Sequence, residues 1–180
     1  MKSKTIVVLV SVIVLASMLL SACGKAEVSS ADTIIIGTTD KIASLDPADS
    51  YSTHDWEIIK NISDGLVAWK PGTTDLEPIL ATDLGTVSED GLTYTFTLKD
   101  GIKFADGTPL TATMYASQLN RLLTIGPSCP NDVADALAVP YIKSITAPDD
   151  KTMVFVLNTP IGYFRNILAT APFVASLSST

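Results

Sequence analysis

Cysteine, histidine and positive charge are all scarce in this chain of 180 residues. It has two cysteines, one histidine and 12 lysines and arginines against 19 acidic residues, for a net charge of −7. With only Cys23 and Cys129 available, no multi-bridge disulfide framework can form. His54 is the single imidazole, so Cys129, set between Ser128 and Pro130, lacks an evident base and reads as an inert loop or packing thiol. After Lys4 there is no basic run, which excludes a nucleic-acid partner, because phosphate neutralisation needs clustered lysine and arginine. No GxSxG, HExxH, calcium loop, GxGxxG or GxxxxGK[ST] occurs. Nothing in the sequence supports an enzyme or calls for a cofactor.

What is present begins with a hydrophobic content of 47%, enough for a real core, although the N-terminus inflates it. Lys2 and Lys4 precede an apolar run from Ile6 to Leu20, interrupted by Ser11 and Ser17. That run is short beside the roughly 20 residues of a membrane span, and its flanks match a secretory signal. "LLSAC" followed by Gly24 resembles the bacterial lipobox, in which the cysteine is diacylated and becomes the mature N-terminus. Cys23 is therefore the expected lipid-attachment residue, residues 1–22 the signal peptide and residues 23–32 a flexible tether. An uncleaved signal anchor with an incidental cysteine is the alternative, as is a Cys23–Cys129 bridge.

Beyond the tether, periodicity predicts a mixture of elements. "TIIIG" (33–37) reads as a strand buried on both faces, and "SLDP" (44–47) as a turn. Trp56, Ile59, Ile62 and Leu66 recur at helical spacing, so Thr53 to Asp64 is expected to be a helix stopped by Gly65. "LVAW" predicts a short strand, "KPGTTD" a loop and "EPILATDLGTVSEDG" a connection. Leu92, Tyr94, Phe96 and Leu98 then alternate with threonines, the period of a half-buried strand. Asp100-Gly101 and Asp106-Gly107 supply turns, with "IKF" between them as a second hairpin arm. Thr111 is the expected cap of a helix reaching about Leu123, with Tyr115, Leu119 and Leu122 on one face. "GPSCPND" is a loop and Val133–Val139 a short helix. "YIKSITA" and "TMVFVLN" form a hairpin about "PDDK", and Tyr163 to Ala169 is a short helix. There is no internal repeat and no regular βαβ alternation, so the expected class is α/β of the mixed α+β kind.

Side chains that could carry chemistry mostly have turn functions. Glu89-Asp90 and Asp149-Asp150 each sit in a turn before a strand, and adjacent side chains there cannot face one another across a cleft. Asp46, Asp49, His54 and Asp55 form a local group whose spacing fits no metal motif, so a solvated turn and helix start is expected instead. Of the aromatics, Tyr94 and Phe104 are expected in the core. Tyr51, in a polar loop, is the one most open to a binding role, with Trp69 and Tyr141 as further cleft candidates.

The block "EDGLTYTFTLKDGIKFADGTPLTA" (89–112) closely resembles the signature region of the extracellular solute-binding proteins, family 5. "SLDP", "ISDGLVAW", "EPILAT", "YIKSITAPDDKTMVFVLNTP" and "YFRNILA" follow in that family's order, from Ile34 to Phe173. The family comprises oligopeptide, dipeptide and nickel receptors of ABC importers. The resemblance implies a type II periplasmic-binding-protein-like fold of two lobes closing on a ligand, the first lobe carrying an extra domain. Residues 33–52 would open the first lobe, 53–170 form the extra domain and 171–180 begin the return. The second lobe and hinge are expected beyond Thr180. Its implied ligand contacts are the backbone of Tyr51, Ser52 and Thr53, which would bond a peptide as an added strand does, and Asn131 in the "GPSCPND" loop. Implied partners are an oligopeptide or similar solute, the permease subunits and, through Cys23, the membrane, in an extracytoplasmic location. Ala105 and Met114 depart from the family pattern, where histidine or serine and an acidic residue often stand. A secreted hydrolase with its catalytic residues beyond Thr180 and a surface adhesion module are the rival readings.

Overall fold

The computed structural model describes residues 34, 37–50, 52–125, 138 and 140–175. The expected signal peptide and tether, Cys23, Tyr51, Cys129, Asn131 and nearly all of the helix expected at 133–139 lie outside them. The chain divides between Thr39 and Asp40. In the first part Ile34 is 87% exposed and in no strand. Thr33, Ile35 and Ile36, the rest of the apolar run of the strand expected at 33–37, lie outside the described residues.

From Asp40 onward the elements are α1 (Thr53–Ile62), β1 (Val67–Trp69), β2 (Leu76–Pro78), β3 (Thr86–Val87), β4 (Thr93–Thr97), α2 (Ala112–Ile125), β5 (Ile142–Thr146), β6 (Thr152–Leu157) and α3 (Phe164–Leu168). A 3₁₀ turn at Ala171–Phe173 follows. β1 and β2 form a small antiparallel ribbon, while the main sheet is antiparallel in the order β3-β4-β6-β5. This is the mixed α+β architecture expected.

The alternation of β4 does what its period requires. Tyr94, Phe96 and the following Leu98 are buried, and Tyr94 and Phe96 stand opposite Phe155 and Met153 of β6. α2 covers this face, packing on β5 and β6 with Tyr115, Leu119 and Leu122 buried. Phe155 meets Phe96 and Phe164 edge-on at centroid distances of 5.9 and 5.6 Å, an arrangement favoured by the ring quadrupoles. Phe104 is buried as expected. Thr111 caps α2, its Oγ1 accepting from the Met114 N–H at 3.2 Å. On the outer strand β5, the Ile145 carbonyl accepts from Asn120 Nδ2 of α2 at 2.9 Å. The core continues past α3: Phe173 is buried, Val174 bridges Gly65, and Ala175 N–H donates to Asp64 O at 2.8 Å.

Three expectations are corrected. α1 ends at Ile62 with Ser63 in extended geometry, so Gly65 does not stop the helix. Gly65 instead bridges Val174 in antiparallel fashion, and a Cβ there would make only ordinary contacts, 3.4 to 3.6 Å from the carbonyl oxygens of Val67, Phe173 and Leu168. "IKF" is not a hairpin arm, since β3 and β6 already occupy both edges of β4. It contributes one bridge, Lys103 to Pro109, around the Asp106-Gly107 turn. The stretch expected as mere connection contains β2 and β3, too short to show a period.

Candidate functional site

The chain leading to the expected ligand contacts, residues 41–50, is irregular and is held against α1 by side chains. Ser52 is the N-cap of α1, its hydroxyl accepting from the Asp55 N–H at 3.1 Å. Serine followed three residues later by a carboxylate is the spacing of a capping box, whose acid normally returns to the cap's own N–H. Here the acid is aimed elsewhere. Asp55 accepts from the Ala43 N–H at 3.0 Å and the Ser44 N–H at 3.3 Å, 12 and 11 residues upstream. Trp56, the next residue, donates its indole N–H to Ser50 O at 3.0 Å.

Between these contacts the "SLDP" turn closes on itself. Asp46 O accepts from the Asp49 and Ser50 N–H groups at 3.0 and 2.9 Å, and Asp46 Oδ1 from the Ala48 N–H at 3.0 Å. Arg121 of α2 grips the Asp46 carboxylate with both terminal nitrogens, at 2.7 and 2.5 Å. This bidentate pairing is the strongest geometry available to such an ion pair. Ser50 is fully buried, and its hydroxyl finds no partner among the described residues.

Both carboxyls sit below their ordinary range. The Arg121 hydrogen bond is the main cause at Asp46. At Asp55, burial pushes the group up, but the Ala43 N–H, the Ser52 hydroxyl and the Ser44 N–H together outweigh it. A depressed folded-state pKa contributes stability above the unfolded carboxylate value, which is lost as pH falls through the folded value. Resistance to urea is therefore expected to be level near neutrality and to decline below about pH 4. In Asp55→Asn the neutral-pH value should drop and the acid decline become shallower; an equally steep decline would remove Asp55 as a cause.

Beside this segment lies an open groove of about 820 Å³ between residues 45–48, α1, α2 and residues 172–174. Its walls are mainly apolar, with Leu45, Ile59, Met114, Leu122 and Val174 among them. Neither Ser52 nor Thr53 lines it.

The residues expected to act at the site are thus placed unevenly. Ser52 is half-buried as a cap and Thr53, exposed, opens α1. Tyr51 and Asn131 lie outside the described residues. Asp46, Asp49, His54 and Asp55 do not converge on a common point. Asp46 turns to Arg121, His54 Nε2 to Asp40 Oδ2 at 2.6 Å, and Asp55 to backbone N–H groups. Among the described residues no cluster of three or more metal-ligating side chains exists. The acidic pairs serve turns as expected: Asp90 accepts from Ser88 Oγ and the Leu92 N–H, and Asp149 from the N–H groups of Lys151 and Thr152. Asp55, Trp56 and Arg121 were not singled out as organisers of the segment. The Ser-x-x-Asp spacing was the available signal for Asp55.

Comparison with known proteins bears on family and fold. The model of the bacterial extracellular solute-binding proteins, family 5 middle, matches residues 75–178. The chain is 38% identical over 142 residues to the probable D,D-dipeptide-binding periplasmic protein DdpA of Escherichia coli strain K12, covering 77% of this chain and 26% of that protein. It is 31% identical over 166 residues to the glutathione-binding protein GsiB of Shigella flexneri, covering 92% and 30%. Among solved structures, the periplasmic binding protein DppA of Helicobacter pylori, in complex with the peptide STSA, superposes with a TM-score of 0.62 at 30% identity. That match covers 73% of this chain and 28% of the other. The Escherichia coli murein tripeptide binding protein MppA gives a TM-score of 0.60 at 29% identity, covering 75% and 28%. The chain thus spans between a quarter and a third of the length of these relatives. By its matched residues and its fold, it belongs to the bacterial extracellular solute-binding proteins of family 5.

Proposed function

We propose that this chain is the N-terminal part of the substrate-binding receptor of an ABC importer, which captures an oligopeptide or similar small solute and delivers it to a membrane permease. The observation that carries this reading is the state of residues 41–50. They belong to neither sheet, and they are fixed from one side by Asp55, Trp56 and Arg121. This anchored stretch leads directly into residues 51–53, whose main chain in this reading bonds a peptide as an added strand does, which gives affinity without requiring a particular side-chain sequence. The relatives support the same ligand class: DdpA is described as D,D-dipeptide-binding, and DppA was solved with a bound peptide.

In this reading Tyr51, Ser52 and Thr53 provide the backbone contacts and Asn131 a side contact. Residues 33–52 open the first lobe, 53–170 form its extra domain and 171–180 begin its return. Closure of two lobes on the ligand is a hinge-type population shift and involves no chemical step. The test is calorimetric titration of the full-length receptor with the tetrapeptide STSA and with a mixed tetrapeptide pool. Saturable one-site binding is expected; a receptor that binds neither has another ligand class.

The location in this reading is extracytoplasmic, with Cys23 lipidated at the membrane. Cells fed a labelled fatty acid are expected to tag the protein and to leave Cys23→Ala untagged. Label persisting on that variant would remove the anchor.

A further inference from the structure

We propose that Tyr141 and Tyr163 form an oxidative modification site, at which a one-electron oxidant couples their two rings into an intramolecular dityrosine. The inference goes beyond the receptor reading and does not depend on what the receptor binds.

Only two cysteines occur in these 180 residues, and lipidation of Cys23 would leave Cys129 without a partner among them. A covalent staple here must come from another chemistry. Four tyrosines fall among the described residues, and their surroundings divide them into two pairs. Tyr94 and Tyr115 are buried, and each hydroxyl donates to a backbone carbonyl, that of Ile161 or of Phe173. Tyr141 and Tyr163 instead meet each other, with ring centroids 6.3 Å apart and ring planes at 82°. That is the contact range of an edge-to-face pair. A hydrogen bond with Tyr141 raises the Tyr163 pKa, which brings the two hydroxyls together as well. Tyr163 is 53% exposed, so an oxidant reaches it from solvent.

Both rings stand on fixed backbone. Tyr141 leads into β5, and its carbonyl accepts from the Asn158 N–H at 2.9 Å. Tyr163 leads into α3, and its carbonyl accepts from the Asn166 N–H at 3.0 Å. The reacting partners are thus already oriented, which lowers the entropic cost of joining them. A haem peroxidase charged with hydrogen peroxide removes one electron and one proton from each phenol. The two phenoxyl radicals join through one Cε of each ring, ortho to the oxygens. The hydrogen displaced from each of those carbons returns to a phenolic oxygen. The pair loses two hydrogens in all, and one peroxide becomes two waters. The new bond encloses the β5–β6 hairpin, and it restricts the unfolded chain as a disulfide would.

The test treats the dilute full-length receptor with a haem peroxidase and hydrogen peroxide, then maps its proteolytic fragments by mass. A linked pair of fragments carrying Tyr141 and Tyr163 is expected, two hydrogens lighter than their sum, with dityrosine fluorescence. The urea midpoint is expected to rise on treatment. Tyr163→Phe keeps the ring and forms no phenoxyl radical, so the linked pair and the rise should both vanish. Links confined to other tyrosines, links only between separate molecules, or no link at all overturn the inference.

Discussion

Gly85→Ala is expected to destabilise the chain by about 2–5 kcal/mol, against about 1–2 kcal/mol for Gly101→Ala. The two glycines share a backbone conformation, with φ of 74° and 76°, where any Cβ crowds the following carbonyl. They differ in surroundings. A Cβ at Gly101 meets nothing within 4 Å, whereas one at Gly85 lies 2.6, 2.7 and 2.9 Å from three ring carbons of Phe96. Phe96 is fully buried and packed edge-on against Phe155, so its ring has nowhere to retreat. The backbone cannot yield easily either. Gly85 N–H donates to Asp83 Oδ1 at 2.7 Å, and Gly85 O accepts from Arg165 Nη2 at 2.8 Å. Urea midpoints of the two variants measure the difference directly. Equal midpoints would mean that the Phe96 ring contributes nothing and that only backbone strain counts.

Phe155→Ala is expected to lower stability by about 3–5 kcal/mol, the cost of an aromatic ring removed from a packed core. Phe155 is fully buried on β6, paired with Tyr94 on one neighbouring strand and Ile145 on the other, with Phe164 of α3 above it. The cavity therefore opens at the junction of sheet and helix, where collapse needs both to move. Because domains are typically stable by only about 5–15 kcal/mol, this variant sits close to unfolding at ambient temperature. Val156→Ala, on the half-buried opposite face of the same strand, is expected to cost no more than about 1.5 kcal/mol. A Phe155→Ala variant as stable as Val156→Ala would show that the aromatic cluster is not the centre of the core.

Elements with a long period were legible in the sequence. The threonine alternation gave β4, the cap and apolar face gave α2, and the hairpin of β5 and β6 stood out between its turn residues. Errors arose where a local pattern was overruled from a distance. "IKF" looks like a hairpin arm, but whether β4 has a free edge is decided by β6, some 50 residues later. Gly65 reads as a helix stop because glycine serves that role locally, yet it lies three residues past the helix end and bridges Val174, more than 100 residues away in sequence. At the site, the Ser52-Asp55 spacing was visible and its cap formed. The amides at Ala43 and Ser44 that donate to Asp55 carry no side-chain signature, so no pattern could name them.

The amide of Asn120 has a consequence for the sheet's outer margin. A second molecule that tried to lengthen the sheet alongside Ile142–Thr146 would meet an acceptor already taken and a helix lying close by. The other margin offers only Thr86 and Val87, two residues that give little purchase to an added chain. Neighbouring copies of the chain are in this way hindered from zipping together, by a side chain on one flank and by brevity on the other.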